Sequence, residues 1–155
     1  MNSDRTHHVA FSAYQSKAKS YKLHETWIFD EVLLNEGNAY NKATGTFIAP
    51  SGGTYAFTWS TLTYPRKTAH PYLRVNGHYK GFTAFNNSHT SQSVWSSGSN
   101  TIFVRLKKGD RVDLLLGTWQ LMPEKTGLRS PAGRYTKLFL CSSTMHSVDN
   151  IRMTC

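Results

Sequence analysis

Aromatic rings set among amides, imidazoles and cations are the residues of this chain best suited to chemistry, and that chemistry is recognition. Tyr64, Trp95 and Trp119 fall in long polar segments with Asn86, Asn87, His89, Gln92 and Arg129. A pyranose stacks its C–H face on an aromatic ring, while amide, imidazole and guanidinium groups bond its hydroxyls. Trp95 and Trp119 also suit strand ends of a core, so the candidate sugar contacts are Tyr64, Trp119, Asn87 and His89. Arg66, Lys67, Lys125 and Arg129 supply charge for attracting an anionic ligand. Asn86-Asn87-Ser88 is a glycosylation sequon in the same region.

Catalysis finds little material. Serines are plentiful, yet no G-x-S-x-G elbow is present. Pro50–Thr54 reads as a turn into a strand. Paired carboxylates could come only from Asp30, Glu31, Asp110, Asp113 and Glu124, and with Asp110 in a tight turn and Asp113 on a strand exterior a shared cleft is not expected. No Gly-rich phosphate loop precedes a helix. His7-His8, His70, His78 and His89 lack the spacing of a zinc site. The residues nominate no enzyme.

Eighteen Lys and Arg against nine Asp and Glu give a net charge of +9, which favours polyanionic partners. Basic and aromatic residues interleave at Tyr64–Tyr72, but no nucleic-acid module is recognisable, so no specific nucleic-acid partner is expected. No apolar run reaches the ~20 residues that span a bilayer. MNSDRTHHVAF has no apolar signal segment. Cys141 and Cys155, the two cysteines, leave a tail bridge and two free thiols both open.

The elements that position these residues are strands. Tyr55, Phe57 and Trp59 alternate with Ala56, Thr58 and Ser60; Ile102, Val104 and Leu106 alternate with Phe103 and Arg105; Val112, Leu114 and Leu116 alternate with Asp113 and Leu115. Asn76-Gly77, Lys108-Gly109-Asp110 and Ser51-Gly52-Gly53 are tight turns. The links over 16–26, 64–70, 86–100 and 118–134 are long. Long and tight links alternate from Phe47 onward, which predicts an antiparallel sandwich with long loops at one pole and tight turns at the other. Phe103, Leu115 and Phe139 alternate with core positions, so they should face outward and suit a subunit contact.

Phe29, Asn35, Tyr40, Phe47, Gly53, Tyr55, Phe57 and Trp59 occur in an order and spacing that resemble the signature of the complement C1q globular-head family, with Trp59 where Phe or Tyr is usual. VAFSA at Val9–Ala13, LRVNG at Leu73–Gly77, Thr101–Leu116 and YTKLFL at Tyr135–Leu140 resemble other strands of that family. The resemblance implies an all-β jelly-roll sandwich of about ten strands, related to the tumour necrosis factor cytokines and assembled as a homotrimer. The globular domain would span 9–141, after an N-terminal lead of 1–8 and before a tail of 142–155.

The functional expectation follows from the same resemblance. It is a secreted, non-enzymatic pattern-recognition lectin of innate immunity, binding microbial glycans, anionic polysaccharide or lipopolysaccharide multivalently. The alternative is a secreted trimeric ligand for a protein receptor. Some relatives hold calcium through acidic residues in the region matching Phe82–Trp95. Here no Asp or Glu occurs between Gly37 and Gly109, so calcium is disfavoured and no cofactor is expected.

Overall fold

A computed structural model describes residues 9–86, 94–117 and 137–147, with side chains for 9–84 and 94–117. The described residues contain strands and turns. In chain order the strands are β1 (Ala10–Tyr14), β2 (Lys19–Ser20), β3 (Glu31–Glu36), β4 (Tyr40–Asn41), β5 (Thr46–Ile48), β6 (Gly53–Thr63) and β7 (Thr68–Ala69). They continue with β8 (Pro71–Val75), β9 (His78–Phe82), β10 (Phe85–Asn86), β11 (Ser96–Leu106), β12 (Arg111–Leu116) and β13 (Lys137–Ser147). One sheet runs β11-β6-β13-β1-β3 and the other β4-β5-β12-β8-β9. These two five-strand ladders are the jelly-roll sandwich, and β2, β7 and β10 are short additions at its end.

The alternation along β6 builds the core. Tyr55, Phe57 and Trp59 are buried, and β11 turns Ile102, Val104 and Leu106 to the same side. The facing sheet contributes Phe47, Leu73, Val112 and Leu114. Rings interlock across the sandwich. Phe11 stacks on Tyr40 with centroids 4.6 Å apart, and Phe47 meets the edge of Phe57 at 5.4 Å. Such offset and edge contacts add to the stabilisation from burial itself. Gly45 at the mouth of β5 has φ +68°, and a Cβ there would enter the backbone of Trp27.

Register places the ends of the strands. Thr63 at the end of β6 lies opposite Ser96 on β11 and Leu138 on β13, while Gly53 lies opposite Leu106. Leu138 pairs with Lys19, and Leu116 pairs with Pro71. Residues at both margins of the described long links therefore gather at one pole. The tight turns share the other pole and bond to one another. Asn76 Nδ2 donates to Asp110 Oδ1 at 2.9 Å, and the Gly109 amide donates to the Ala49 carbonyl at 2.8 Å. Asn76 and Gly77 have φ of 50° and 82°, as a type I′ turn requires.

Two expectations are corrected. Leu115 does not face solvent: it is fully buried. The segment at 24–27 runs beside the second half of β12, where β5 has ended. Trp27 N–H donates to Leu114 O at 2.7 Å, and Thr26 bridges to Leu115. The second correction is at the C-terminal end. β13 does not stop near Leu140 but continues to Ser147, so 142–147 belongs to the ladder and not to a tail. Its backbone lies between β6 and β1, which supply partners on both sides, with a bulge between Cys141 and Thr144.

Candidate recognition site at the loop pole

Two hydrogen-bonded turns shape the described part of this pole. In Tyr64-Pro65-Arg66-Lys67 the Lys67 amide donates to Tyr64 O at 3.2 Å. Proline sets φ at the second position, and Arg66 occupies the third with φ 59°. Glycine is the ordinary residue there, because a Cβ in the left-handed region costs about 1 kcal/mol or more. Lys22-Leu23-His24-Glu25 repeats the form. The Glu25 amide donates to Lys22 O at 3.0 Å, and His24 has φ 64°. Both turns push their tips into solvent, leaving Arg66, Leu23 and His24 exposed.

Tyr64 continues out of β6 and meets Trp95, the residue before β11. Their ring centroids are 4.3 Å apart with planes inclined by 38°. Trp95 is 48% exposed and the adjoining Val94 42%. The pair forms an aromatic ledge at the rim, two residues from Arg66 along the chain.

Charge at the described pole is mainly positive. Lys17 and Lys22 are exposed, as is Arg66, and Lys67 is partly so. Lys19 lies 3.3 Å from Glu25 and 4.6 Å from the centroid of the Tyr21 ring. The Lys22 backbone amide, with Lys19 behind it, holds the Glu25 carboxyl below its ordinary range. Glu25 thus pairs with Lys19 and also feels the charge of Lys22.

Beneath the ledge the core turns polar. β6 continues inward with Thr61 and Thr63, whose hydroxyls are buried with no hydrogen-bond partner among the described residues. His70 is also buried, and burial lowers its pKa to about 4. A void of about 30 Å³ lies between Phe11, Phe47, Trp59 and Leu114, room for roughly one water. Among the described residues no three His, Cys, Asp or Glu side chains cluster to hold a metal ion. No helix of the described residues is long and apolar enough to cross a membrane.

Of the sequence-predicted contacts, Tyr64, Arg66 and Lys67 share this pole. Asn87, His89, Trp119, Lys125 and Arg129 lie outside the described residues. For the expected subunit contact, Phe103 is 61% exposed on the edge strand β11, while Leu115 is the buried residue noted above. Phe139 pairs through its backbone with Leu62, and its side chain lies outside the described set. The ring missing from the candidate list was Trp95. Its parity matches the exposed Ser97, Ser99, Thr101 and Phe103, so counting back along β11 in twos places it outward.

The fold defines a class, the jelly-roll β-sandwich. The sequence pattern of the C1q domain matches residues 10–129. The chain belongs to the C1q domain family. It is 32% identical over 112 residues to the heavy metal-binding protein HIP of Mytilus edulis, covering 72% of this chain and 51% of that one. It is 34% identical over 96 residues to mouse complement C1q tumor necrosis factor-related protein 3, covering 61% and 37%. The chain thus spans about half or less of the length of these relatives. The globular domain of zebrafish complement 1qA superposes with a TM-score of 0.68 at 17% identity, covering 91% of this chain and 97% of that one. Murine APRIL superposes with a TM-score of 0.62 at 12% identity, covering 90% and 98%. At these identities the structural likeness speaks for the fold.

Proposed function

We propose that this protein is a secreted, non-enzymatic recognition head that binds microbial surface glycans or lipopolysaccharide through its loop pole. The observation that carries the reading is the assembly of the Tyr64–Trp95 ledge with Arg66 and Lys67 at one rim. Ring faces stack on sugar, and the cations draw in phosphate or carboxylate substituents. C1q and tumour necrosis factor-like domains are generally recognition or ligand proteins, which supports a binding role over turnover.

A homotrimer would present several such poles together and gain avidity on a repetitive surface. Two apolar features support self-association. Phe103 lies on one edge of the β11-β6-β13-β1-β3 sheet, and Leu33, 69% exposed, lies with Leu34 on the opposite edge at β3. Between them the outer face carries a row of uncharged residues, Thr101, Thr58, Ser12 and Leu34. A head-to-tail ring closes when one edge of a subunit meets a different surface of the next.

The likeness to C1q tumor necrosis factor-related protein 3 favours a second reading, a secreted trimeric ligand for a protein receptor. A glycan array, run with competing free sugar and with sedimentation of the same sample, separates the two. Sugar-competed binding by a trimer supports the lectin. Saturable binding to a protein, indifferent to sugar, supports the ligand. The absence of binding to any glycan or lipopolysaccharide would sink the lectin reading.

A further inference from the structure

The tight-turn pole holds a pair of residues whose chemistry a recognition role does not use. Asn76 and Gly77 form the turn between β8 and β9, and both are exposed. Glycine has no Cβ, so its backbone nitrogen is the least hindered of any residue's. A Cβ built on Gly77 would meet nothing within 4 Å, and the Gly77 amide donates to no acceptor among the described residues. An unencumbered amide therefore directly follows the carboxamide of Asn76. That carboxamide is clamped at both ends. Its Nδ2 donates to Asp110 Oδ1 at 2.9 Å, and its Oδ1 accepts from the Arg111 amide at 2.9 Å. The Asn76 amide donates in turn to Arg111 O at 2.8 Å. Asp110 is itself fixed, because the Lys107 amide donates to its Oδ2 at 2.8 Å. The Lys107 amide and the Asn76 side chain hold the Asp110 carboxyl below its ordinary range, so it stays an ionised acceptor at neutral pH.

We infer that Asn76 is a site of spontaneous covalent modification, cyclisation with loss of ammonia, which its bonds to Asp110 and Arg111 hold in check. In this step the Gly77 nitrogen gives its proton to solvent and bonds to Asn76 Cγ. The Cγ–Nδ2 bond breaks, and Nδ2 takes up a proton and leaves as ammonia. Water then opens the succinimide ring. Opening at Cγ gives aspartate on the original backbone, and opening at the backbone carbonyl gives isoaspartate. Cyclisation requires Cγ to swing onto the Gly77 nitrogen, which breaks both side-chain bonds, so the reaction waits on local opening of this pole. Either product replaces an amide donor with a carboxylate near Asp110. Isoaspartate also adds a methylene to a two-residue turn whose length sets the register of its strands. Modification should loosen the β8–β9 hairpin at the end of the sandwich away from the Tyr64–Trp95 ledge, so it stands apart from the glycan reading.

The full chain is incubated at mildly alkaline pH, folded and in guanidinium chloride as an unfolded reference. Trypsin cuts after Arg74 and Lys80, so mass spectrometry of the peptide between them reads the exchange of amide for acid at Asn76. Enzymatic methylation of isoaspartate measures the rearranged fraction. The unfolded chain should convert readily and the folded parent far more slowly. Asp110→Ala should convert about tenfold faster than the folded parent, the scale of one lost charge-assisted hydrogen bond. Melting curves verify that this variant is folded; if it is not, the folded and unfolded parent decide between them. Asn76→Asp, which carries the first product outright, should unfold at a lower urea midpoint than the parent. Equal rates in the folded and unfolded parent overturn the inference, and so do equal rates in the folded parent and Asp110→Ala. An unfolded chain that never converts overturns it as well.

Discussion

The Asn35 side chain holds both backbone polar groups of Tyr40. Its Nδ2 donates to Tyr40 O at 2.8 Å, and its Oδ1 accepts from Tyr40 N–H at 3.1 Å. The Tyr40 hydroxyl then reaches Phe29, accepting from its amide at 3.0 Å and donating to its carbonyl at 3.2 Å. Three signature residues are thus one clasp, which fixes the crossing from β3 to β4 while the Tyr40 ring stacks on Phe11. Asn35→Ala strands two peptide groups in a partly buried site, at a cost of about 1–3 kcal/mol. Urea titration of the purified variant should show a lower midpoint with an unchanged slope. An unchanged midpoint would show that the clasp is dispensable.

Arg66 should trade stability for binding. In the left-handed region glycine is free of the steric cost that arginine carries, so Arg66→Gly should melt at the same temperature or higher. The same change removes a cation from the rim. Its affinity for an anionic glycan should drop, and drop further at low salt than at high salt. A variant that loses stability and keeps its binding would remove Arg66 from the site.

Trp95→Ala should leave folding intact, since the ring is half exposed, and weaken glycan binding about threefold to tenfold. Trp59→Ala is the contrast. That ring is buried and its Nε1 donates to Thr83 Oγ1 at 2.8 Å, so the fold itself should suffer. Calorimetry beside the glycan array separates the two effects.

His70 makes the fold sensitive to acid. Its folded pKa of about 4 lies below the ordinary 6.5, so the unfolded chain takes up the proton first. The stability it contributes is complete above pH 6.5 and declines as pH falls toward 4, by about 3 kcal/mol at most. Carboxylates held below their usual range, Glu25, Asp30 and Asp110, add their own losses at lower pH. Urea midpoints at pH 7 and pH 4.5 should converge in His70→Asn and differ in the parent. Equal pH dependence in both would exclude His70 as the cause.

Phe103→Asp tests the subunit contact. The side chain is largely exposed, so the fold should persist while a trimer dissociates to single subunits in a sedimentation experiment. A parent protein that already sediments as a monomer would refute the trimer outright.

The long alternating strands were legible in the sequence because burial and period coincide on them. Tyr55, Phe57 and Trp59 could only face one way, and Asn76-Gly77 could only turn. Alternation of links foretold the two poles for the same reason: antiparallel strands return each link to a fixed end. Leu115 was misplaced because alternation assigns a side chain to a sheet face and does not say whether that face is covered: Leu115 is buried, and its backbone bridges to Thr26, about ninety residues earlier. Period-2 reasoning sees one sheet face and not what crosses it. CSSTMHS at 141–147 shows no alternation that marks a strand, and takes extended form because β1 and β6 offer it partners on both sides. Trp95 was within reach of parity, yet a tryptophan beside a strand invites burial, and the exposed ring went unassigned to the site.

The base of the sandwich also settles how the molecule can be tethered. Ala10 pairs with His146, and Ser147 pairs with Tyr55 two residues above Gly53, so the framework is entered and left beside the tight turns. A support joined to the framework beside Ala10 or Ser147 would pull from underneath. The loop pole would then point away from its support, open to whatever approaches from the far side.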